Sequence, residues 1–510
     1  MAPVQPTTRP PPLFAKLLRL DNPIRSLTLA FWSWKVLVYI VVVACPGSGY
    51  DTSTSLISYV ADPSTVANSE SLSGPLQFAR WDSIYYLDIA EKGYLFEQEW
   101  AFGWGYTKLL SIFVAGIRLS GGDAGPASTA MVGVVLSHVA HYLSVLALYR
   151  LSANIFGHAT ATQHLICFLS AALHIISPAG AFLSAPYGES IVSFFNMAGF
   201  YLYSSSLIAE RNGATRLRDF RVLLSAVLFA AATMVRSNGI LSGFLFAYDA
   251  AALAWKILTK GPTLHTAVRL AVILVGGCIV GSGMVIPQIM AFRMYCVSED
   301  DLRPWCEWTL PSVYGWVQNH YWDVGFLRYW TVPNVPLFLL AAPMLAILCR
   351  SSLWALQSPS SSLTSPGSML VRLAVPQGLL AVLALTSYHV QIINRISSGY
   401  PLWYWYLVTS AVDLSSSTPK QSRTLVAAVY SMVAYALIQG VLFGIPRRNE
   451  DTEAEVLNYS INKTNTSLSY CPLACREKQV PYANTTVLNT ISGSKFRAFR
   501  SGSFRVSLES

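Results

Sequence analysis

The sequence predicts an all-α polytopic membrane protein, and three observations carry that fold class. Only 12% of the 510 residues are charged and 53% are hydrophobic, whereas a soluble domain carries about 25% charged residues; mean hydropathy is accordingly positive. The apolar residues fall in runs that suit membrane helices of about 20 residues, and the length accommodates roughly ten such spans plus loops. Basic residues collect at the ends of these runs and in short connections, where they set orientation. The net charge of +9 is therefore a topology signal. The interleaving of basic and aromatic residues on a wet surface that a nucleic-acid partner requires is absent.

Each element follows from that frame. Residues 1–26 carry Arg9, Lys16, Arg19 and Arg25 and are expected in the cytosol. The Pro10–Pro12 run and the length of the next apolar stretch argue against a cleaved signal peptide, so residues 27–44 are read as a retained span. The membrane domain is 27–445. Its first extramembrane loop, 46–108, is polar and holds Asp82, Asp88, Glu91, Glu97 and Glu99. Ile84, Leu87 and Ile89 are spaced for a short helix on the bilayer surface. Residues 109–119 are apolar but short, and are read as interfacial.

Spans are expected at 131–149, 165–183 and 190–208, followed by a cytosolic turn rich in Arg211, Arg216, Arg218 and Arg221. Residues 222–255 form two short spans meeting at the polar break Arg236-Ser237-Asn238-Gly239. Lys256, Lys260 and Arg269 return the chain to the cytosolic side. A span at 270–292 leads to a second large loop, 293–330, which is acidic and aromatic. Further spans follow at 335–348, 373–388, 402–412 and 425–443, with a Ser-rich segment, 351–368, as a flexible cytosolic linker. This count puts residues 389–395 and the polar tail 446–510 on the same side as the first loop.

Of the eight cysteines, Cys45, Cys167, Cys278 and Cys349 read as small core residues. Cys296 with Cys306, and Cys471 with Cys475, are each open to disulfide formation on an oxidising side. No spacing suits zinc, and two separated carboxylates do not make a metal site. The tail carries glycosylation triplets at Asn458, Asn462, Asn465 and Asn484, a pattern that Ser/Thr-rich sequence also yields by chance.

Five constellations have chemical potential. Arg80-Trp81-Asp82, with Glu91 downstream, offers a carboxylate at the water–bilayer boundary; such a group can accept the proton of an attacking hydroxyl, while Trp81 suits a headgroup-level anchor. Tyr187-Gly188-Glu189-Ser190 is a tight break between spans. The helix dipole alone accounts for an acid at a helix start, yet a carboxylate at membrane depth is costly and often functional. Arg236 inside an apolar run costs roughly 2.5–3.5 kcal/mol if unpaired; its anion is either Glu189 or a lipid phosphate, and Asn238 lies beside it. His320 and Trp322 stand in the second loop, and His389 and Arg395 just beyond a span, where both suit phosphate or ordinary headgroup contacts. No phosphate-binding or dinucleotide loop is present, which disfavours a soluble nucleotide-sugar enzyme.

These stretches, in this order, resemble the GPI mannosyltransferase 2 family (the PIG-V type). The resemblance rests on Arg80-Trp81-Asp82 with Glu91-Lys92-Gly93-Tyr94, on Ser177-Pro178-Ala179 with Tyr187-Gly188-Glu189-Ser190, and on Arg236-Ser237-Asn238-Gly239. It continues through Pro304-Trp305-Cys306, Tyr321-Trp322-Asp323-Val324-Gly325 and His389-Val390-Gln391 with Arg395. It departs at Phe102-Gly103-Trp104-Gly105 and in the tail. The resemblance implies a GT-C type helical bundle of the endoplasmic reticulum membrane, with luminal loops forming the site. The implied activity is inverting transfer of the second mannose, in α1,6 linkage, from dolichyl-phosphate mannose to a GPI precursor glycolipid. It further implies Asp82 as catalytic base, no cofactor, and a small membrane accessory subunit as partner alongside membrane lipids. The substrate contacts expected with it are Arg80, Trp81, Glu91, Tyr187, Glu189, Arg236, Asn238, His320, Trp322, His389 and Arg395. The alternatives are another dolichol-phosphate-sugar-dependent glycosyltransferase and, outside enzymes, a lipid transporter or scramblase; the latter should show internal repeats with paired broken helices, and one clear break is seen.

Overall fold

A computed structural model of the chain describes residues 22–45, 74–122, 125–297, 303–358, 366–412 and 419–444. The expectations for residues 1–21, for the loop up to residue 73, for Cys471 and Cys475, and for the tail with Asn458, Asn462, Asn465 and Asn484 lie outside these residues.

All regular structure among the described residues is helical: α1 Pro23–Ala44, α2 Asp82–Lys92, α3 Trp104–Leu119, α4 Pro126–Phe156, α5 Ala161–Ile175, α6 Glu189–Arg211, α7 Thr215–Val235, α8 Phe244–Lys260, α9 Leu264–Tyr295, α10 Val313–His320, α11 Val335–Gln357, α12 Met369–Thr386, α13 Leu402–Val412 and α14 Pro419–Gly444, with short 3-10 turns and the single α-turn Ile393–Ile396 between them. Eight stretches among the described residues are long and apolar enough to cross a membrane. This is fewer than the ten anticipated, because several apolar runs end early or stay inside the protein.

The run expected to span 165–183 stops as a helix at Ile175. Pro178 follows in a non-helical segment, Ser177–Gly188, broken by a 3-10 turn. α13 has 11 residues, and Leu402, Trp403, Tyr404 and Trp405 are all fully buried; it is core, not a lipid-facing span. The Ser-rich linker at 351–368 is also shorter than expected. α11 runs on to Gln357, and Ser351 and Ser352 are buried against α12, where Gln377 Nε2 donates to Ser351 Oγ at 2.7 Å. Small hydroxyl residues allow close helix approach in lipid, so serine here marks an interface. α2 forms where Ile84, Leu87 and Ile89 indicated, but Leu87 and Ile89 are buried by protein. α3 stays at 16 residues, below spanning length, as expected.

α6 is the central helix, packed between α4 and α7, and is the most buried of the spanning helices. Its contact with α7 is close because Gly199 meets the Phe229 ring, where a Cβ would lie 2.5 Å from Phe229 Cε1. α14 packs along α1, and their C-terminal ends meet: a Cβ on Gly444 would stand 2.1 Å from the Val42 carbonyl oxygen. Arg80 Nε donates to the Phe443 carbonyl at 3.2 Å. The ends of α1 and α14 and the Arg80–Asp82 loop therefore share one end of the bundle. Of the four scattered cysteines only Cys167 is buried; Cys45 is half-buried and Cys278 and Cys349 are exposed on the outer faces of α9 and α11. Lipid-facing positions look like core in composition because both are apolar. Cys296 and Cys306 form a disulfide with Cα atoms 5.6 Å apart.

At the opposite end, Arg372 is buried and donates from Nε and Nη2 to Asp249 Oδ1 at 2.8 and 2.5 Å, while Tyr203 donates to Asp249 Oδ2 at 2.7 Å. Removing one member of a buried pair leaves an uncompensated charge, at a cost of about 3–5 kcal/mol. Arg372→Leu should therefore sharply lower the amount of folded protein in membranes and its detergent melting temperature. Arg372→Leu combined with Asp249→Asn should recover much of both.

Candidate active site

Among the described residues the first loop offers five carboxylates, and the structure assigns four of them elsewhere. Asp88 pairs with Lys92 on the exposed face of α2. Glu91 accepts from Thr129 Oγ1 at 2.8 Å; burial raises its pKa, partly offset by that bond. Glu97 accepts from the indole nitrogens of Trp305 and Trp316 and from the Tyr321 hydroxyl, which ties the first loop to the second. Glu99 caps its own turn through the Leu95 and Phe96 amides. Asp82 alone of the five lines the large cavity at this end of the bundle, a space of about 190 Å³.

Asp82 stands in the first turn of α2, where an acid is favoured. The residue before it, Trp81, has φ +50°, a region that a bulky side chain rarely adopts. The turn is held from several sides. The Arg80 carbonyl accepts from Tyr187 Oη at 2.6 Å and Ser83 Oγ at 2.7 Å, and the Trp81 ring packs on Phe182 and Phe443. Such a strained conformation persists only where its surroundings over-determine it.

Behind Asp82 lies a cluster of four charges. Arg395 Nη2 donates to Asp82 Oδ2 at 2.9 Å, and Arg395 Nε donates to Glu189 Oε1 at 2.7 Å; Nη2 also lies in ion-pair contact with that Glu189 oxygen at 2.6 Å. Arg236 Nη1 reaches that oxygen too, at 2.6 Å. The Glu189 side chain is fully buried at the first position of α6, whereas the Asp82 side chain is 37% exposed. The Phe182 and Tyr187 rings flank the Arg395 guanidinium, with centroids 4.2 and 5.0 Å from its carbon. The structural partner of Arg236 is thus Glu189, but Arg236 also lines the cavity.

The remaining wall comes from Asn238, Trp322 and His389, all anticipated, and from Gln288, Tyr314 and Tyr388, which were not. The Asn238 amide nitrogen and the Trp322 indole nitrogen are buried without a protein partner, and so are available to a ligand oxygen. His389 Nε2 lies 3.2 Å from the Trp322 carbonyl. A carbonyl only accepts, so Nε2 carries the hydrogen and Nδ1 keeps its lone pair in the neutral ring. Burial lowers the His389 pKa, offset in part by that hydrogen bond. A neutral His389 suits a hydroxyl better than a phosphate.

Of the expected contacts, Arg236, Asn238, Trp322 and His389 line the cavity, Trp81, Tyr187, Glu189 and Arg395 stand behind Asp82, and three others lie away from it. Glu91 sits at the far end of α2 on Thr129. His320 is exposed and stacks on Trp316, 4.6 Å between centroids. Arg80 is buried against the end of α14. Arg80 and Tyr187 therefore support the Asp82 turn from behind. Gly103 explains the departure at Phe102–Gly105: a Cβ there would lie 1.7 Å from the Val235 carbonyl oxygen, so glycine lets this loop close on the residue before Arg236.

With this geometry in place, comparison with known proteins is decisive. The family model described as mannosyltransferase (PIG-V) matches residues 24–445. The chain belongs to this mannosyltransferase family. It is 55% identical over 436 residues to the GPI mannosyltransferase 2 of Aspergillus oryzae, covering 84% of this chain and 96% of that one. It is 51% identical over 442 residues to the protein of the same name in Aspergillus fumigatus, covering 84% and 94%. The solved apo structure of the Archaeoglobus fulgidus oligosaccharyltransferase aligns with a TM-score of 0.43 at 13% identity, over 85% of this chain and 57% of that one. PIG-V membership makes the chain a glycosyltransferase and removes the transporter alternative. The match ends at residue 445, so the tail from Pro446 lies beyond it.

Replacing Glu189 by alanine leaves two guanidinium groups in the interior without their shared acceptor. The expected result is a loss of about 3–5 kcal/mol, seen as depleted membrane protein and a lower melting temperature, with Glu189→Gln less severe because it keeps an acceptor oxygen.

Proposed function

We propose that this mannosyltransferase transfers the second mannose, in α1,6 linkage, from dolichyl-phosphate mannose to a GPI precursor on the luminal side of the endoplasmic reticulum membrane, with Asp82 as the catalytic base. The observation that carries the assignment of Asp82 is its position: it is the one carboxylate of the described first loop that faces the cavity, and Arg395 orients it from behind. The names of the relatives support the GPI acceptor. The shared placement of Asp82 with the C-terminal ends of α1 and α14, opposite the basic connections between α6 and α7 and between α8 and α9, supports a luminal site.

The reaction forms one bond and breaks one. The acceptor hydroxyl oxygen attacks the anomeric carbon of mannose, and the bond from that carbon to the phosphate oxygen breaks. Its electron pair leaves with dolichyl phosphate, which is a stable anion and needs no proton. The hydroxyl proton passes to Asp82. Attack opposite the leaving group inverts the anomeric centre. Arg395 holds one carboxylate oxygen, which leaves the other for the hydroxyl. Arg236, whose one hydrogen-bond partner among the described residues is Glu189, is placed to meet the phosphate; charge-assisted contacts of this kind are the strong ones. Asn238, Trp322 and His389 supply neutral donors and an acceptor for sugar hydroxyls. The reading includes the membrane domain 27–445, luminal glycosylation of the tail, and a small accessory membrane subunit.

Two measurements test it. Asp82→Asn should lower mannose transfer by roughly 10²–10⁴-fold, the usual worth of general base catalysis, at an unchanged amount of protein; normal transfer would remove Asp82 from the role. Cells depleted of the protein should accumulate a GPI precursor bearing one mannose. A precursor with none, or with two or more, would move the enzyme to a different step and favour another dolichol-dependent transfer.

A further inference from the structure

Lys35 is not among the residues that sequence patterns single out. It lies near the middle of α1, only 4% exposed, and no carboxylate among the described residues pairs with it. An ammonium group at that depth is expensive and needs a function. Its hydrogen bonds indicate one. Lys35 Nζ donates to the Leu183 carbonyl at 2.7 Å and to Ser184 Oγ at 2.9 Å.

Leu183 and Ser184 lie in the non-helical segment that links α5 to α6 and carries both rings flanking Arg395. Phe182 lies just before the two anchored residues, and Tyr187 and Glu189 just after them. The segment's own backbone bonds are local turns, such as the Ser184 and Ala185 amides on the Ala181 carbonyl, so its placement against the bundle depends on hydrogen bonds from its neighbours. Ser137 of α4 donates to the Ala185 carbonyl at 2.6 Å, Gln439 of α14 donates to the Pro178 carbonyl at 3.3 Å, and Lys35 supplies the contact from α1. Packing needs alone would be met by leucine or methionine.

We propose that Lys35 is a positioning residue for mannose transfer: it fixes the Phe182–Glu189 turn at the depth where Phe182 and Tyr187 clamp Arg395, and thereby aims Arg395 at Asp82. The inference rests on Asp82 as the base. Lys35 touches none of the cavity wall, so its loss acts on the alignment of the reacting groups rather than on substrate binding. It is also separable from folding. In Lys35→Met the Leu183 carbonyl keeps the Ser190 hydroxyl as donor at 3.1 Å, and removing a cationic side chain that has no carboxylate partner among the described residues relieves the cost of holding it at membrane depth and strands no counter-charge.

The test uses the full-length protein in its membrane, comparing wild type, Lys35→Met, Lys35→Arg and Asp82→Asn for protein amount, melting temperature in detergent, and kcat and KM of mannose transfer. Lys35→Met is expected to accumulate and melt like the wild type and to keep KM within about threefold. Its kcat should fall about tenfold or more, the pattern of an interaction that matters in the transition state. Lys35→Arg, which keeps the donors, should recover a large part of that loss. The proposal is overturned if Lys35→Met transfers mannose at the wild-type rate, if its loss follows protein amount or melting temperature, if KM carries the change, or if Lys35→Arg is as impaired as Lys35→Met. Activity retained in Asp82→Asn overturns the base assignment instead, whatever the Lys35 variants do.

Discussion

One buried carboxylate oxygen organises the catalytic end of this protein. Glu189 Oε1 accepts one N–H bond from each of two guanidinium groups, and one of those groups reaches on to Asp82. Four separate chain segments must arrive together for this to happen: the start of α2, the start of α6, the end of α7, and the short turn after α12. Two carboxylates and two guanidinium groups sum to no net charge, so the cluster can sit where water is scarce, provided that its hydrogen bonds are made. That requirement fixes the helix ends in space. With Asp82 as the proposed base, the groups around it are in place before substrate arrives, which is how preorganised charge lowers a barrier.

The opposite end of the bundle meets the same constraint with different residues. Glu210 sits between Arg218 and Arg269, and Asp249 is held by Arg372 and Tyr203. Buried ion pairs therefore stand at both ends of the bundle, whereas Lys35, near the middle of α1, has no carboxylate partner among the described residues. The pairing at the basic end lines no cavity comparable to the one at Asp82. Similar electrostatics serve assembly there and chemistry at the other end, and the cavity makes the difference.

What the sequence disclosed followed from periodicity and charge; what it concealed followed from tertiary packing. Helix existence was legible because lipid demands long apolar runs, and the polar break at Arg236–Gly239 was legible because it violates that demand. Asp82, Glu189, Arg236 and Arg395 were each visible as a charge beside or within an apolar run. The Glu189–Arg236 pair was one of two alternatives read there; the junction of Asp82 with Arg395 was not visible, because the two are more than 300 residues apart in sequence. The roles of Glu91 and His320 were misread for the same reason. A carboxylate or an imidazole in a loop has the same local signature whether it faces a cavity, a threonine on α4 or an exposed indole. Gln288 and Tyr314 gave no signal, since a neutral polar residue on α9 or in an aromatic loop is unremarkable until the cavity is formed. The short helix of α13 and the buried serines of α11 were hidden by a further ambiguity: lipid-facing and protein-facing surfaces share a composition.

The two extramembrane loops show why the cavity is a defined site and not a gap between loops. Glu97 of the first loop draws in Trp305, Trp316 and Tyr321 of the second, and the Cys296–Cys306 disulfide ties the Trp305 segment to the end of α9. The second loop is also sewn to the end of α12 by the Leu327 amide on the Thr386 carbonyl and by the Trp330 indole on the Leu385 carbonyl. Trp322, between these attachments, is thereby fixed over Tyr85 and Phe102 of the first loop. Each donor removed from a buried carboxylate leaves it less well compensated. Glu97 thus makes closure of the loops cooperative: losing one aromatic donor weakens the hold on the other two. The outer wall of the cavity and the charge cluster beneath it are therefore held by independent sets of bonds, and Asp82 lies between a lid fixed by neutral donors and a floor fixed by charge.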